Sequence, residues 1–288
     1  MTQAGSSVGP PRRLARSLKQ EYEEFILQRI EEYKESLSRE EILKLGDDAV
    51  RELEVNTAEQ YLLTEVLLLE HVDRIIKRQL RLPTFKRWQQ RFKALRSAQR
   101  EATHWGLVQP SPLPDLARRL QAGDVALVVG AHADGAALFL AAHDVDVVLI
   151  DQDLTAVELA ESRAVTEQLA DRVHALVVRF GGWLPDVAPA LIVFDSAALA
   201  PLSAQRRIAL VRDLQRRTRP NGIHYVIPPA PASVGPGDVI PLAPDALQSY
   251  YKAWTVDRIG PRVRRGSVGG FMATKPARHG DTASAASE

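Results

Sequence analysis

The 288-residue chain contains no cysteine. Disulfides, thiolate nucleophiles and cysteine-based metal or redox centres are therefore excluded. Aromatic residues make up only 6% of the chain, and the formal net charge is +1. A charge that small creates no global field to gather a polyanion or a membrane surface. Long hydrophobic runs are also lacking: Gly, His or Asp interrupts each one before it reaches spanning length. The N-terminal MTQAGSSVGPPRRLARS is basic but has no apolar signal core, so a cytoplasmic location is expected. What is present, 45% apolar and 25% charged residues, is the composition of a globular protein with ample length for a buried core.

Residues 1–17 and 277–288 are Gly, Pro, Ser, Ala and charge without periodicity, and read as disordered tails. Residues 18–108 read as an all-α helical module. Phe25, Ile26, Ile30, Tyr33 and Leu37 recur at helical spacing, and Ser38 with Glu41 forms a capping box, as Thr57 with Gln60 does on the same pattern. A long helix is predicted over Tyr61–Leu82, with Leu62, Val66, Leu69, Ile76 and Leu80 on its apolar face. Pro83 ends it, and another helix carries Phe85, Trp88, Phe92 and Leu95. Charge is segregated: residues 18–73 hold sixteen acids and six Lys/Arg, residues 74–100 ten Lys/Arg and no acid. That pattern reads either as a surface for nucleic acid or as two segments that neutralise each other around an aromatic core. The near-zero charge of the module favours the second reading, so no nucleic-acid partner is expected. His71 has no ligand-type side chain three or four residues on, and no metal site is expected.

A Pro-rich linker, residues 109–114, precedes an α/β domain over 115–276. Strands are predicted at 124–130, 145–151, 173–178, 189–195 and 222–227, and helices near 135–143, 154–170 and 203–218. Such alternation builds a parallel sheet with helices on both faces. A short helix near 244–251 then leads to two strands, Trp254–Ile259 and Val268–Thr274, with no helix between them. The sheet is therefore expected to be mostly parallel with a C-terminal antiparallel hairpin. Its first strand–turn–helix–strand passage, Asp124–Asp153, delivers a turn at Gly130 and an acid at the tip of the second strand, the arrangement of a nucleotide pocket.

Four strings narrow this further: Ala137-Leu-Phe-Leu-Ala141, Arg217-Thr-Arg-Pro-Asn-Gly-Ile-His-Tyr225, Leu247-Gln-Ser-Tyr-Tyr-Lys-Ala-Trp254 and Phe271-Met-Ala-Thr-Lys275. In this order the chain resembles the class I S-adenosylmethionine-dependent methyltransferases, and within them the tellurite-resistance (TehB-like) group, over about residues 113–276. The resemblance implies a Rossmann-like methyltransferase sheet, S-adenosylmethionine as cofactor and a small-molecule or soft-anion substrate. It implies cofactor contacts at Gly130, Ala131, His132, Asp151, Gln152 and Asp195, with Asp151 taking the ribose hydroxyls, and names no catalytic residue. The family's first motif, D-x-G-x-G-x-G, falls on Val128, Gly130, His132 and Asp134, so one glycine remains and the first acid is apolar. Arg179 stands near the position of the family's adenine-contacting acid, and the hairpin loop Pro261-Arg-Val-Arg-Arg265 has arginines but no histidine.

Other readings of the same residues stand beside these. Asp151 can equally cap the helix beginning near Leu154, His132 can be a solvated turn residue, and Asp195 a strand-end turn acid. Arg262, Arg264 and Arg265 read as a solvated tip, and His104-Trp105-Gly106 as a segment docking onto the sheet domain. Methyl transfer needs positioning more than a special nucleophile. Lost cofactor contacts matter more: two missing anchors at roughly 1.5–3 kcal/mol each weaken binding by about 100-fold or more. Three functions follow: a methyltransferase of unusual pocket chemistry, a catalytically inactive methyltransferase-fold protein with a binding or regulatory role, or a dinucleotide binder using Gly130, Gly135 and Asp151. In the first, the helical module serves as a lid or as a dimerisation surface, which makes a homo-oligomer through that module an expectation.

Overall fold

The structure, a computed structural model, describes residues 17–56, 65–107, 111–121, 123–227, 244–259 and 270–277. The readings made above for the two tails, the Thr57–Gln60 box, Leu62 and the arginines of the hairpin loop fall outside these residues. The chain divides into two compact units, with the boundary between Leu95 and Arg96.

The first unit holds α1 (Leu18–Ser36), α2 (Arg39–Asn56), α3 (Glu65–Gln79) and most of α4 (Phe85–Gln99). Ser17 and Gln20 close a capping box on α1, and Ser38 and Glu41 close another before α2, with the Ser38 N–H donating to Glu41 at 2.8 Å. Reciprocal bonds of this kind satisfy donors that a helix start leaves open. The core is aliphatic: Ile26, Ile30, Leu45, Ala49, Ile75 and Ile76. Beside it Trp88 is buried, with rings of Tyr22, Phe25, Phe85 and Phe92 around it at centroid distances of 4.7–6.3 Å. The aromatics of the basic stretch thus pack within the unit, and Arg78 of that stretch pairs with Glu52 of the acidic one at 2.6 Å.

The second unit begins with the end of α4, a 3-10 turn at Ala102–Trp105 and α5 (Leu113–Arg119). Then follow β1 (Val125–Val129), α6 (Asp134–Ala142), β2 (Asp146–Asp151), α7 (Leu154–Thr166), β3 (Val173–Val177), β4 (Leu191–Phe194), α8 (Ser196–Leu199) and α9 (Ala204–Arg217). The last elements are β5 (Ile223–Val226), α10 (Pro244–Gln248), β6 (Thr255–Ile259) and β7 (Gly270–Thr274). The strands form one seven-stranded sheet in the order β3-β2-β1-β4-β5-β7-β6. Strands β1 to β5 are parallel, and β7 runs antiparallel between β5 and β6. The expected terminal hairpin is present, with its second strand placed inside the sheet. Successive side chains of β1 alternate between two buried layers: Ala126 and Val128 join one core, Leu127 and Val129 the other. A strand covered on both faces reads as the continuous apolar run seen in the sequence.

Two short helices were not expected. α5 starts inside the Pro-rich stretch, with proline in its first turn, where a missing N–H breaks no helical bond. α8 has only four residues, too few for periodicity to announce it.

Three of the family-like strings meet on one face of the sheet and are structural. His224 of β5 is fully buried, with Nε2 2.7 Å from the Thr218 hydroxyl and Nδ1 2.8 Å from the Tyr251 hydroxyl. Thr218 has one proton and donates it to the Leu214 carbonyl, so the network assigns the His224 proton to Nε2, and Tyr251 donates to Nδ1. Trp254 lies against the same imidazole at 4.6 Å. Lys275, just after β7, donates to the carbonyls of Gln215 and Thr218 at the end of α9.

Burial, with a smaller push from the Lys275 charge, holds the His224 pKa down at about 3, against 6.5 for a free histidine. The unfolded chain therefore takes up this proton first, and the associated stability, complete above about pH 6.5, is lost as pH falls toward 3. The slope is on the order of 1.4 kcal/mol per pH unit for this group. His224→Gln is expected to lower stability at neutral pH by about 1–3 kcal/mol by stranding a buried hydroxyl. The same variant should lose one proton's worth of acid sensitivity between pH 6 and 4 in urea unfolding series; an unchanged acid slope would contradict the assignment.

Candidate functional site

Strand order reverses at β1, whose neighbours β2 and β4 lead away in opposite directions. In open α/β sheets, ligands sit at the carboxyl ends of the strands at such a point. The ends of β1, β2 and β4 here carry Gly130, Ala131 and His132; Asp151 and Gln152; and Asp195. The structure brings the six together.

Asp151 is buried, and its carboxylate binds the protein's own backbone. One oxygen accepts the Ala131 N–H at 2.6 Å, and the other accepts the N–H groups of Gln152 at 2.5 Å and Asp153 at 3.0 Å. A carboxylate offers about four acceptor positions, so about one remains. The cap of α7 is Asp153, which accepts from Thr155 and Ala156, so the start of that helix makes no demand on Asp151. Gln152 is exposed, and its side-chain oxygen accepts the Phe180 N–H at 3.2 Å, bridging to the loop after β3.

Gly130 has φ +105°, a conformation that favours glycine, and a Cβ there would lie 2.7 Å from the Asp195 Cβ and 2.8 Å from the Ala198 Cβ. Here the glycine is demanded by the chain's own α8. One Asp195 oxygen caps α8 by accepting the Ala197 N–H at 2.9 Å; the other is buried without a hydrogen-bond partner. Burial pushes the Asp195 carboxyl pKa upward, the Ala197 bond and His132 oppose the shift, and Asp151 adds to it. His132 is therefore close enough to interact with Asp195, and its own ring is exposed.

The other motif positions have local explanations. Val128 is fully buried in the core. Asp134 accepts the Gly135 N–H and binds Arg163 at 2.7 Å. A Cβ on Gly135 would lie 2.8 Å from the Trp105 carbonyl oxygen, so this glycine admits the 3-10 turn against α6 rather than a pyrophosphate. Trp105 is buried there, donating from its indole to the Gln99 carbonyl at 2.6 Å. Sequence reasoning missed Ala198, whose methyl group closes on Gly130; a small residue three places after Asp195 was the available signal. Among the described residues no group of three or more His, Cys, Asp and Glu is arranged to hold a metal ion, and no helix is long and apolar enough to cross a membrane.

S-adenosylmethionine fits one end of this site. The ribose end keeps Asp151 with about one acceptor position. The methionine end does not fit: Val128 offers no carboxylate, and the Ala131 N–H is already bonded.

Two substitutions test these assignments. Gly135→Ala is expected to destabilise the protein by about 1–3 kcal/mol through the clash with the Trp105 carbonyl; an unchanged unfolding midpoint would remove that role. The raised Asp195 pKa means that the folded state holds this proton longer than the unfolded chain, so stability declines as pH rises from 3.8 through the raised value. Asp195→Asn keeps the cap on Ala197 and should raise the melting temperature at pH 7 but not at pH 3; a lower value at pH 7 would show that the carboxylate is needed ionised.

No protein-family model matches the chain, and a search of curated proteins finds no match. Among solved structures, the N-methyltransferase NodS from Bradyrhizobium japonicum is 14% identical, covering 59% of this chain and 99% of that one, at a TM-score of 0.44. TehB from Haemophilus influenzae is 15% identical over 57% of this chain and 61% of its own, at 0.42. The S-adenosylmethionine-dependent methyltransferase SibL is 15% identical over 90% and 76%, at 0.44. The chemistry in those names belongs to those proteins. By its own strand order, five parallel strands arranged around β1 and an antiparallel β7 set between β5 and β6, the unit from Arg96 onward has the class I methyltransferase fold.

Proposed function

We propose that this is a methyltransferase-fold protein that binds a nucleoside ligand at the carboxyl ends of β1, β2 and β4 and transfers no methyl group, a catalytically inactive protein with a binding or regulatory role. The observation that carries this reading is the packing at Gly130, where a Cβ would lie 2.7 Å from the Asp195 Cβ and 2.8 Å from the Ala198 Cβ, so the turn after β1 lies against the chain's own α8. The bonded Ala131 N–H supports it, because a ligand would have to displace a buried carboxylate to reach that donor. Asp151 supports the nucleoside part, since its remaining acceptor position suits one ribose hydroxyl.

The position of Asp151 at the tip of β2 also favours a second reading, an S-adenosylmethionine-dependent methyltransferase acting on a small molecule or soft anion. In that case α8 must move away from Gly130 when the cofactor binds.

Thermal-shift and calorimetric titrations with S-adenosylmethionine and S-adenosylhomocysteine separate the two. Ligand at 100 times its dissociation constant adds about 2.7 kcal/mol to stability. The first reading expects no such gain from either ligand at millimolar concentration. Micromolar binding of S-adenosylmethionine that Asp151→Ala abolishes would overturn it, and transfer of a labelled methyl group to a small-molecule or soft-anion acceptor would then establish the second.

A further inference from the structure

The carboxyl ends of β1, β2, β3 and β4 and the residues just after them carry four acids, Asp134, Asp151, Asp153 and Asp195, together with His132 and Arg179; Asp186, later in the β3–β4 connection, faces Arg217 at 3.8 Å. All four acids are engaged. Asp134 is paired with Arg163, Asp151 accepts three backbone N–H groups, Asp153 caps α7, and Asp195 caps α8 with its other oxygen buried. The two cationic residue types are exposed and make no hydrogen bond or ion pair among the described residues. His132 stands at the turn beside Asp195. Arg179 lies between Val178, whose N–H donates to the Asp151 carbonyl at 2.7 Å, and Phe180, whose N–H donates to Gln152. The side chain at this edge that carries a fixed charge and no partner is therefore the Arg179 guanidinium, the reverse of what a sulfonium with an ammonium group requires.

We infer that the ligand of this edge is a nucleoside phosphate, with the ribose at Asp151 and the phosphate toward Arg179 and His132. The inference rests on the nucleoside-binding reading above and adds the sign of the ligand's charge. A phosphate gains charge-assisted hydrogen bonds from a guanidinium and accepts from an imidazole N–H, whereas S-adenosylmethionine, with two positive groups and one carboxylate, meets the Arg179 charge.

Calorimetric titration of the full chain with adenosine, adenosine monophosphate and S-adenosylmethionine tests this. The monophosphate is expected to bind at least about tenfold more tightly than either other ligand. That preference should shrink as salt is raised, disappear in Arg179→Ala and persist in Arg179→Lys. Equal affinities for adenosine and its monophosphate, or tighter binding of S-adenosylmethionine, would overturn the inference and leave the edge as a ligand site. A preference that survives both Arg179→Ala and His132→Ala would place the phosphate elsewhere and also overturn it. No binding of any of the three, adenosine included, would remove the nucleoside-binding reading itself.

Discussion

The contact between Gly130 and the start of α8 governs the functional edge of the sheet. With no Cβ at Gly130, Asp195 and Ala198 come down onto the turn after β1, closer than any side chain would allow. Beside that approach the second Asp195 oxygen is buried without a hydrogen-bond partner. It also sets the electrostatics, because a carboxylate without a partner in such a place is costly to ionise. A glycine at this position has two uses in α/β folds, admitting a ligand or admitting the chain itself. Here it does the second.

Asp151 reinforces the closure from the other side. Its bond to the Ala131 N–H ties the tip of β2 to the turn after β1, while its second oxygen organises the chain entering α7. A buried carboxylate held by three backbone donors is well satisfied without any ligand. The edge thus keeps the architecture of a nucleotide site while its acids serve the protein's own backbone and capping groups. The unit has the methyltransferase fold, and at the first motif position the buried Val128 offers no carboxylate.

Three of the four strings that make the sequence resemble a methyltransferase are not at this edge. His224, Tyr251, Trp254 and Lys275 fasten β5, β7 and the segment after α10 to the C-terminal end of α9, through a closed set of hydrogen bonds and ring contacts. They preserve the way the sheet is finished, which explains how a family resemblance persists when cofactor motif positions have changed. In the helical unit, Trp88 and its ring neighbours likewise belong to packing. The basic residues flanking them in sequence follow from the need to solvate the rest of α4.

Much of this was legible in the chain. Continuous apolar runs fixed β1, β2 and β4, because a strand covered on both faces needs no polar alternation. The Gly/Arg-rich run between the strands read at Trp254–Ile259 and Val268–Thr274 announced the hairpin, and Ser38 with Glu41 marked a helix start. Spacing also gathered the six edge residues, since successive parallel strands all end on one side of the sheet. What the chain alone left open was which partner each of those residues takes. Asp151 is a ligand contact or a helix cap, and Gly130 and Gly135 are glycines with or without a ligand behind them. Only the folded structure decides these cases, because they turn on contacts between segments far apart in sequence. The deciding contacts are α8 against Gly130, the Trp105 carbonyl against Gly135, and the Ala131 N–H on Asp151. Local sequence determines the elements and where they end; long-range packing determines whether the space at their ends belongs to a ligand or to the protein.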